Sequence, residues 1–267
     1  MKTILHTIAD YTAMRINIAK KDVSLEKMKA HALSMNGNTG FPFEKALVKK
    51  NDVSFICECK KASPSKGIIT EKFDYISIAK EYETAGAACI SVLTEPHWFL
   101  GENRYLEEIS KVVNIPCLRK DFTIDEYMLY EAKTLGASAV LLITTLLDVD
   151  TMREYINICD TLGLSALVAV HAKRDVEIAL RANARIIGVN NRNLKDFSVD
   201  IENSMRLRGY IPDNILFVAE SGIKTAQDIK RLKDVNINGV LIGEVLMKAE
   251  NKKEMLEILR GQLRHGD

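Results

Sequence analysis

Eight short runs rich in apolar and β-branched residues recur along the sequence, and amphipathic stretches separate them. The runs are VSFICECK (53–60), CISVLT (89–94), IPCLRK (115–120), SAVLLIT (138–144), SALVAV (165–170), ARIIGVN (184–190), ILFVAE (215–220) and NGVLIG (238–243). Runs of this length and composition are typical of buried parallel strands. Several of the intervening stretches end at Gly86, Gly136 or Gly163, where the C-terminus of a helix is expected.

A strand and a helix repeated every ~20 to 35 residues predict a βα array, and eight such units close into a (β/α)8 TIM barrel of the α/β class. A doubly wound sheet is the alternative, but that fold usually carries a GxGxxG turn after its first strand, and this sequence has none. The chain has 267 residues, 47% of them hydrophobic, which suits one large core. We therefore predict an N-terminal helical extension over residues 1–50 that packs on a barrel over residues 51–267.

Within the predicted extension, the segment ILHTIADYTAMRINIAKK places Ile4, Ile8, Tyr11 and Ile18 near one helical face. Ser24 is expected to cap a second helix, SLEKMKAHAL, and the segment MNGNTGFPFEKAL is predicted to be a loop. The extension is expected to pack against the barrel; the alternative is that it forms a lid over one mouth.

The charge balance excludes a global attraction to polyanions. Lys and Arg total 37 against 36 Asp and Glu, a net charge of +1, so neither nucleic acid nor a membrane surface is expected as a partner. Asp10 and Arg15 interrupt what would have to be the apolar core of a signal peptide, and the five cysteines include no CxxC pair. We expect a cytoplasmic monomer with reduced thiols.

The alternation of side chains along the first strand indicates the role of the segment FICECKKASPSKG. Glu58 and Lys60 share one face of the strand, and Cys57 and Cys59 share the other. Catalytic groups of barrels come from the C-terminal ends of strands, so Glu58 and Lys60, with Ser63 just beyond, are predicted to line the mouth. The cysteines are predicted to face the helices. No metal site is expected, because the scattered histidines supply no recognisable ligand spacing.

Later strands also end in polar residues, in the segments RKDF, VAVH, NNRNL, AESG and LIGE. Buried Lys or Glu is costly unless paired or used in catalysis, and several such residues meeting at one mouth favour catalysis over a structural ion pair. The glycine-containing turns after the seventh and eighth strands occupy the position where barrels bind phosphate through backbone N–H groups. These features predict a phosphorylated small-molecule substrate.

Five longer segments carry a resemblance to one enzyme family. They are CECKKASPSKG, SVLTEPHWFLG, LRKDFTIDEYMLYEAKTLGASAVLLI, GVNNRNLKDFSVD and VAESGIKTAQDIKRLKDVNINGVLIGEVLM. Together, in order and over about residues 3–260, they resemble the indole-3-glycerol phosphate synthases of tryptophan biosynthesis. The resemblance implies a carboxy-lyase that converts 1-(2-carboxyphenylamino)-1-deoxyribulose 5-phosphate into indole-3-glycerol phosphate, CO2 and water, without metal or organic cofactor.

The resemblance also implies residue roles. Lys120 would protonate the ribulose carbonyl as the ring closes, Lys60 would hold the anthranilate carboxylate, and Glu58 would supply a carboxylate for the final dehydration. Ser63, Asn190 and Arg192 would also hold the anthranilate carboxylate. The aromatic ring would lie between Phe99, Phe122 and Leu141. The phosphate and the adjoining part of the substrate would contact Glu220, Ser221, Gly222, Leu241, Gly243 and Glu244.

The fifth strand departs from the pattern of the family. Where the family reads LVEVH, with an inward glutamate, this chain reads LVAVH and places Ala169 there. We expect either a synthase that is slow in the dehydration step or one in which Glu58 and water perform that step. His171 is a less suitable substitute for the missing glutamate. The alternative is a weak synthase or phospho-ligand-binding protein with the same pocket. A sugar-phosphate isomerase would need a Cys and Asp pair at the strand ends, which we do not find.

Overall fold

The structure is a computed structural model that describes residues 3–48, 52–194 and 196–263. Its parallel strands are β1 (Ser54–Cys59), β4 (Cys89–Leu93), β5 (Cys117–Lys120), β6 (Ala139–Ile143), β7 (Ser165–Val170), β8 (Ile186–Asn190), β9 (Leu216–Glu220) and β10 (Gly239–Ile242). They close into a barrel in the order β1-β10-β9-β8-β7-β6-β5-β4. A short antiparallel hairpin of β2 (Ala62–Ser63) and β3 (Gly67–Ile68) follows β1.

Three helices precede the barrel, and the others alternate with its strands. The first three are α1 (Ile4–Asp22), α2 (Leu25–Ser34) and α3 (Pro42–Leu47). The others are α4 (Tyr75–Thr84), α5 (Asn103–Val112), α6 (Tyr127–Thr134), α7 (Val149–Leu162), α8 (Lys173–Arg181), α9 (Glu202–Arg208), α10 (Ala226–Asp234), α11 (Glu244–Lys248) and α12 (Lys252–Leu259). The predicted (β/α)8 barrel is confirmed.

The predicted strands and helix ends agree closely with the observed ones. Each of the eight predicted runs contains one barrel strand, shorter by up to two residues at either end. Gly86, Gly136 and Gly163 have φ of 81°, 82° and 67°, a left-handed conformation that glycine adopts without steric penalty at the end of a helix. The local pattern therefore predicted where these elements stop.

Two predictions within the N-terminal segment are wrong. Ile18 is 61% exposed. It follows the buried Ile8 by ten residues, about 2.8 helical turns, so the two side chains lie on different faces of α1. Part of the segment predicted as a loop is the helix α3, with Pro42 at its first position. Ser24 does cap α2, its hydroxyl accepting the Lys27 N–H at 3.4 Å. The predicted boundary at residue 50 lies outside the described residues.

The barrel interior and the layer between strands and helices form separate apolar cores. Ile56, Leu118 and Leu167 belong to the interior core. Cys57 and Cys59 belong to the outer core, as the alternation along β1 predicts, and burial raises the pKa of the Cys57 thiol to about 12. All five cysteines are buried, and none of them forms a disulfide.

Candidate active site

The mouth at the C-terminal ends of the strands contains a cavity of about 710 Å³. The first turns of α1 and the hairpin after β1 form part of its wall. The structure brings every sequence-predicted site position to this cavity. They are Glu58, Lys60, Ser63, Phe99, Lys120, Phe122, Leu141, Ala169, Asn190, Arg192, Glu220, Ser221, Gly222, Leu241, Gly243 and Glu244.

Four charged side chains form a linked cluster at the base of the cavity. The Lys60 ammonium donates to Glu58 Oε1 at 2.5 Å, and the Lys120 ammonium donates to Glu58 Oε2 at 3.2 Å. Lys120 also lies 3.5 Å from Glu220 Oε2. Glu58, Lys120 and Glu220 end alternate strands of the barrel, β1, β5 and β9, so their inward side chains meet in one layer.

Burial and charge act in opposite directions on this cluster. Burial raises the pKa of Glu58, but the charges and hydrogen bonds of Lys120 and Lys60 outweigh it and lower the pKa to about 2. Burial lowers the pKa of Lys120, and the two carboxylates overcome this and raise it. For Glu220, burial dominates and raises the pKa despite Lys120. The cluster therefore keeps the half-buried Lys120 as a charged ammonium.

Two glycines allow the mouth to close around this cluster. A Cβ on Gly243 would lie 2.4 Å from Glu58 Oε1 and 2.9 Å from Lys60 Nζ, so a larger residue would displace the ion pair. Gly222 has φ of 81°, and a Cβ there would lie 2.4 Å from Val199. The predicted phosphate turns are thus positions where the backbone itself borders the cavity.

The opposite wall of the cavity is aromatic. The ring centroids of Phe99 and Phe122 are 5.9 Å apart with planes at 41°, and Leu141 is buried beside them. The carboxylate of the buried Glu95 accepts the backbone N–H groups of His97, Trp98 and Phe99 at 2.9, 2.7 and 3.0 Å. This fixes the loop that carries Phe99.

Arg192 and Asn190 are held by contacts at the end of β8. The Oδ1 atom of Asn190 accepts the Arg192 backbone N–H at 2.9 Å, and the Arg192 guanidinium donates to the Phe197 carbonyl at 3.3 Å. His171 is exposed, and its Nδ1 lies 2.9 Å from the Asn190 carbonyl. His171 lines the same cavity but is anchored to backbone at its rim.

Ala169 is buried on the inner face of β7, paired in register with Ile143 and Gly188. Its carbonyl accepts a hydrogen bond from the Thr144 hydroxyl at 3.1 Å. The methyl side chain of Ala169 therefore offers the cavity no polar atom.

Sequence reasoning missed several residues that line the cavity. They are Thr3, Ile4, Leu5, His6, Ile8, Lys66, Asp121, Thr144, Thr145, Leu194, Phe197, Val199, Lys224 and Lys248. The N-terminal residues carry no sequence signal for this position, because their placement depends on how α1 docks. Lys66 belongs to the SPSKG run, whose lysine marks a loop beside the mouth.

No group of three or more His, Cys, Asp or Glu side chains within residues 3–48, 52–194 and 196–263 is arranged to hold a metal ion. In the same part of the chain, no helix combines the length and apolar character needed to cross a bilayer.

Comparison with known proteins identifies the family. The family model of indole-3-glycerol phosphate synthase matches residues 5–259. The protein of that name from Ruminiclostridium cellulolyticum is 55% identical over 97% of this chain and 99% of its own length, and that from Lachnoclostridium phytofermentans is 50% identical over 97% and 100%. A solved thiamine phosphate pyrophosphorylase from Pyrococcus furiosus has a TM-score of 0.58 at 16% identity, covering 79% of this chain and 95% of its own, which shows the shared fold alone. The chain belongs to the indole-3-glycerol phosphate synthase family.

Proposed function

We infer that the barrel mouth converts 1-(2-carboxyphenylamino)-1-deoxyribulose 5-phosphate into indole-3-glycerol phosphate, CO2 and water, a carboxy-lyase reaction of tryptophan biosynthesis. The observation that carries the assignment is a half-buried, charged lysine between two buried carboxylates. It lies in a cavity with an aromatic wall on one side and glycine turns on another. Ring closure needs an acid beside an aromatic ring, and the phosphate needs backbone donors.

Lys120 acts as the acid for ring closure. Its side chain is half-buried, and its two carboxylate partners keep the ammonium protonated until the ribulose carbonyl oxygen accepts the proton. The attack of the aromatic carbon on that carbonyl develops negative charge on the oxygen, which a half-buried ammonium stabilises more strongly than water does.

Lys60, with Ser63, Asn190 and Arg192, holds the anthranilate carboxylate against the reacting carbon until CO2 leaves. Arg192 suits this role because its guanidinium binds a carboxylate in a bidentate manner. Glu58 accepts hydrogen bonds from both lysines, so its contribution in the resting site is to hold the two side chains in position.

The remaining contacts orient the two ends of the substrate. Phe99, Phe122 and Leu141 receive the anthranilate ring. Backbone N–H groups at Ser221, Gly222, Gly243 and Glu244 bind the phosphate, with Glu220 and Leu241 beside them. The Glu244 carboxylate is engaged by Lys248 at 2.7 Å, which reduces its repulsion of an anion.

A catalytically impaired protein with the same pocket was the alternative that Ala169 suggested. The family match and the full-length relatives give this alternative no advantage over an active synthase. We propose further that the enzyme works as a cytoplasmic monomer, without metal or organic cofactor or nucleic acid, with the N-terminal helices as an extension on the barrel.

The test is to incubate the purified protein with the carboxyphenylamino substrate and follow indole fluorescence and CO2. Production of both in equal amounts supports the function, and binding without either product contradicts it. Inorganic phosphate should inhibit in competition with the substrate, and a metal chelator should leave the rate unchanged. Activity lost to the chelator and restored by zinc would instead require a metal site.

A further inference from the structure

One carboxylate oxygen at the base of the cavity has no hydrogen-bond partner within the part of the chain that the structure describes. Among the described residues, no donor forms a hydrogen bond to the buried Glu220 Oε1. The whole residue is only 2% exposed. Its other oxygen, Oε2, faces Lys120 at 3.5 Å. Burying a carboxylate oxygen without a hydrogen-bond partner costs a large desolvation free energy. Because Glu220 lines the cavity, we infer that this oxygen has a use in the reaction.

The unpaired oxygen occupies space that two small residues leave open. A Cβ built on Gly188 would lie 2.3 Å from Glu220 Oε1 and 3.1 Å from a methyl group of Leu167, so the carboxylate lies over β8 next to β7. Gly188 pairs in register with Ala169 on β7. Glu220 therefore extends from β9 across Gly188 toward the strand end where Ala169 presents only a methyl group.

Glu58 is poorly suited to accept a proton in the resting site. Both of its oxygens accept lysine hydrogen bonds, at 2.5 and 3.2 Å, and its pKa of about 2 makes it a weak base. Glu220 differs on both counts, since one oxygen is free and burial raises its pKa.

We propose that Glu220 is the base of the final dehydration, taking the proton through its free Oε1 in the space over Gly188 and Ala169. This inference rests on the proposed function. It assigns the dehydration to a residue that the sequence placed only among the substrate contacts, and it removes the need for a carboxylate at position 169.

After ring closure and loss of CO2, one proton taken up from solvent recharges Lys120. Glu220 then removes a proton from the methylene carbon between the nitrogen and the new ring carbon, and the C–H electron pair becomes the second bond of the indole C=C. The C–O bond to the hydroxyl breaks, and Lys120 gives that oxygen a proton, so water leaves. Rotation of the protonated Glu220 carboxyl group then brings the proton to the side that lies 3.5 Å from Lys120, and the neutral amine takes it back.

The test separates CO2 release from indole formation in single turnovers with limiting substrate. In Glu220→Gln, loss of one Lys120 partner should slow CO2 release and indole formation together, and loss of the base should slow indole fluorescence by at least a further ~10²-fold relative to CO2 release. Equal slowing of the two signals, or no slowing of either, would overturn the role of Glu220. If the unaltered protein releases neither CO2 nor indole, the proposed function itself fails.

A second variant tests the shared space. Adding Ala169→Glu to Glu220→Gln places a carboxylate on the neighbouring strand and should restore indole formation by at least ~10-fold over the single variant. A folded double variant without recovery would show that the proton is not taken in the space over Gly188 and Ala169.

The unaltered protein provides a measurement that needs no variant. Lys120, Glu58 and Lys60 are the charged groups that face Glu220. Glu58 has a pKa of about 2, and the pKa of Lys120 is raised above 10.5, so neither of them changes charge between pH 4.5 and pH 10.5. The indole step should slow there as the pH falls through the raised pKa of Glu220, while CO2 release does not. A dehydration rate independent of pH in that window would contradict the proposal.

Discussion

Arg119 and Lys120 are adjacent cations on β5, but Arg119 is buried, Lys120 is half-buried, and their surroundings differ in kind. The Arg119 guanidinium faces outward and is fully paired. Its donors reach the Thr94 hydroxyl at 3.3 Å, the Met128 carbonyl at 3.0 Å, Asn103 at 2.9 Å and Glu131 at 2.6 Å. Lys120 faces the cavity and lies between two carboxylates. Of these, Glu58 also accepts a hydrogen bond from Lys60, and Glu220 has one oxygen that is unpaired among the described residues.

The difference shows what distinguishes a structural buried charge from a reactive one. A planar guanidinium with fixed donors can be satisfied completely by a rigid shell, and then it has nothing left to offer a ligand. An ammonium at the edge of a cavity can exchange a proton and still recover its partners. Incomplete pairing beside an open volume, more than burial alone, marks the proposed catalytic cluster.

The largest effect is expected on the catalytic side of this comparison. Lys120→Ala should lower kcat by ~10²- to 10⁴-fold, about 3 to 5 kcal/mol of the barrier, with a smaller change in KM, because the acid acts in the transition state. Steady-state kinetics with indole fluorescence measure both constants. The control is Lys120→Arg, which keeps a charge between the carboxylates but releases its proton poorly and should remain as slow. A pure KM effect would make Lys120 a binding residue.

The next effect concerns stability. Arg119→Ala should reduce the free energy of unfolding by ~3–5 kcal/mol, because Glu131 and the buried Asp121 lose a fixed partner. Urea denaturation measures the change. Arg119→Lys should recover only part of it, since one ammonium cannot reach the acceptors of a guanidinium. A stable Arg119→Ala protein with greatly reduced kcat would reverse the contrast with Lys120.

The pH dependence of stability tests the pairing of Glu58. Its pKa is lowered from 4.5 to about 2, so its stabilising contribution is complete above pH 4.5 and is lost as the pH falls toward about 2. At about 1.4 kcal/mol per pH unit this amounts to ~3 kcal/mol. The raised pKa of Glu220 acts oppositely, losing stability as the pH rises through it. Urea titrations of Glu58→Gln should show a flatter acid limb, and an unchanged slope would contradict the pairing.

The smallest effect is expected where α1 contacts the loop after β5. Arg15 donates to Asp121 at 2.8 Å, and Asp121 is fully buried while Arg15 is 20% exposed. Arg15→Ala should lower the free energy of unfolding by ~1–2 kcal/mol, since a buried carboxylate loses one of its partners. The matched control is Lys20→Ala, which breaks a half-exposed pair with Asp125 and should change stability by less than ~1 kcal/mol. Equal losses would mean that the burial of Asp121 does not matter.

The sequence by itself determined the barrel and the side on which the chemistry lies. The alternation along β1 separated Glu58 and Lys60 from Cys57 and Cys59, because successive side chains of a strand point to opposite faces. The glycines after the helices marked where they end, because a left-handed residue is required there. These are properties of neighbouring residues, and local geometry is sufficient to predict them.

Only the tertiary structure decided which groups are paired and which are free. Glu58, Lys120 and Glu220 are 62 to 162 residues apart in the sequence, and neither their contacts nor the position of Glu220 Oε1 over Gly188 follow from any periodicity. The same is true of Ile18 on the exposed side of α1 and of Leu5 within the interior core. Pairing depends on distances across the closed barrel, which packing sets and local sequence does not encode.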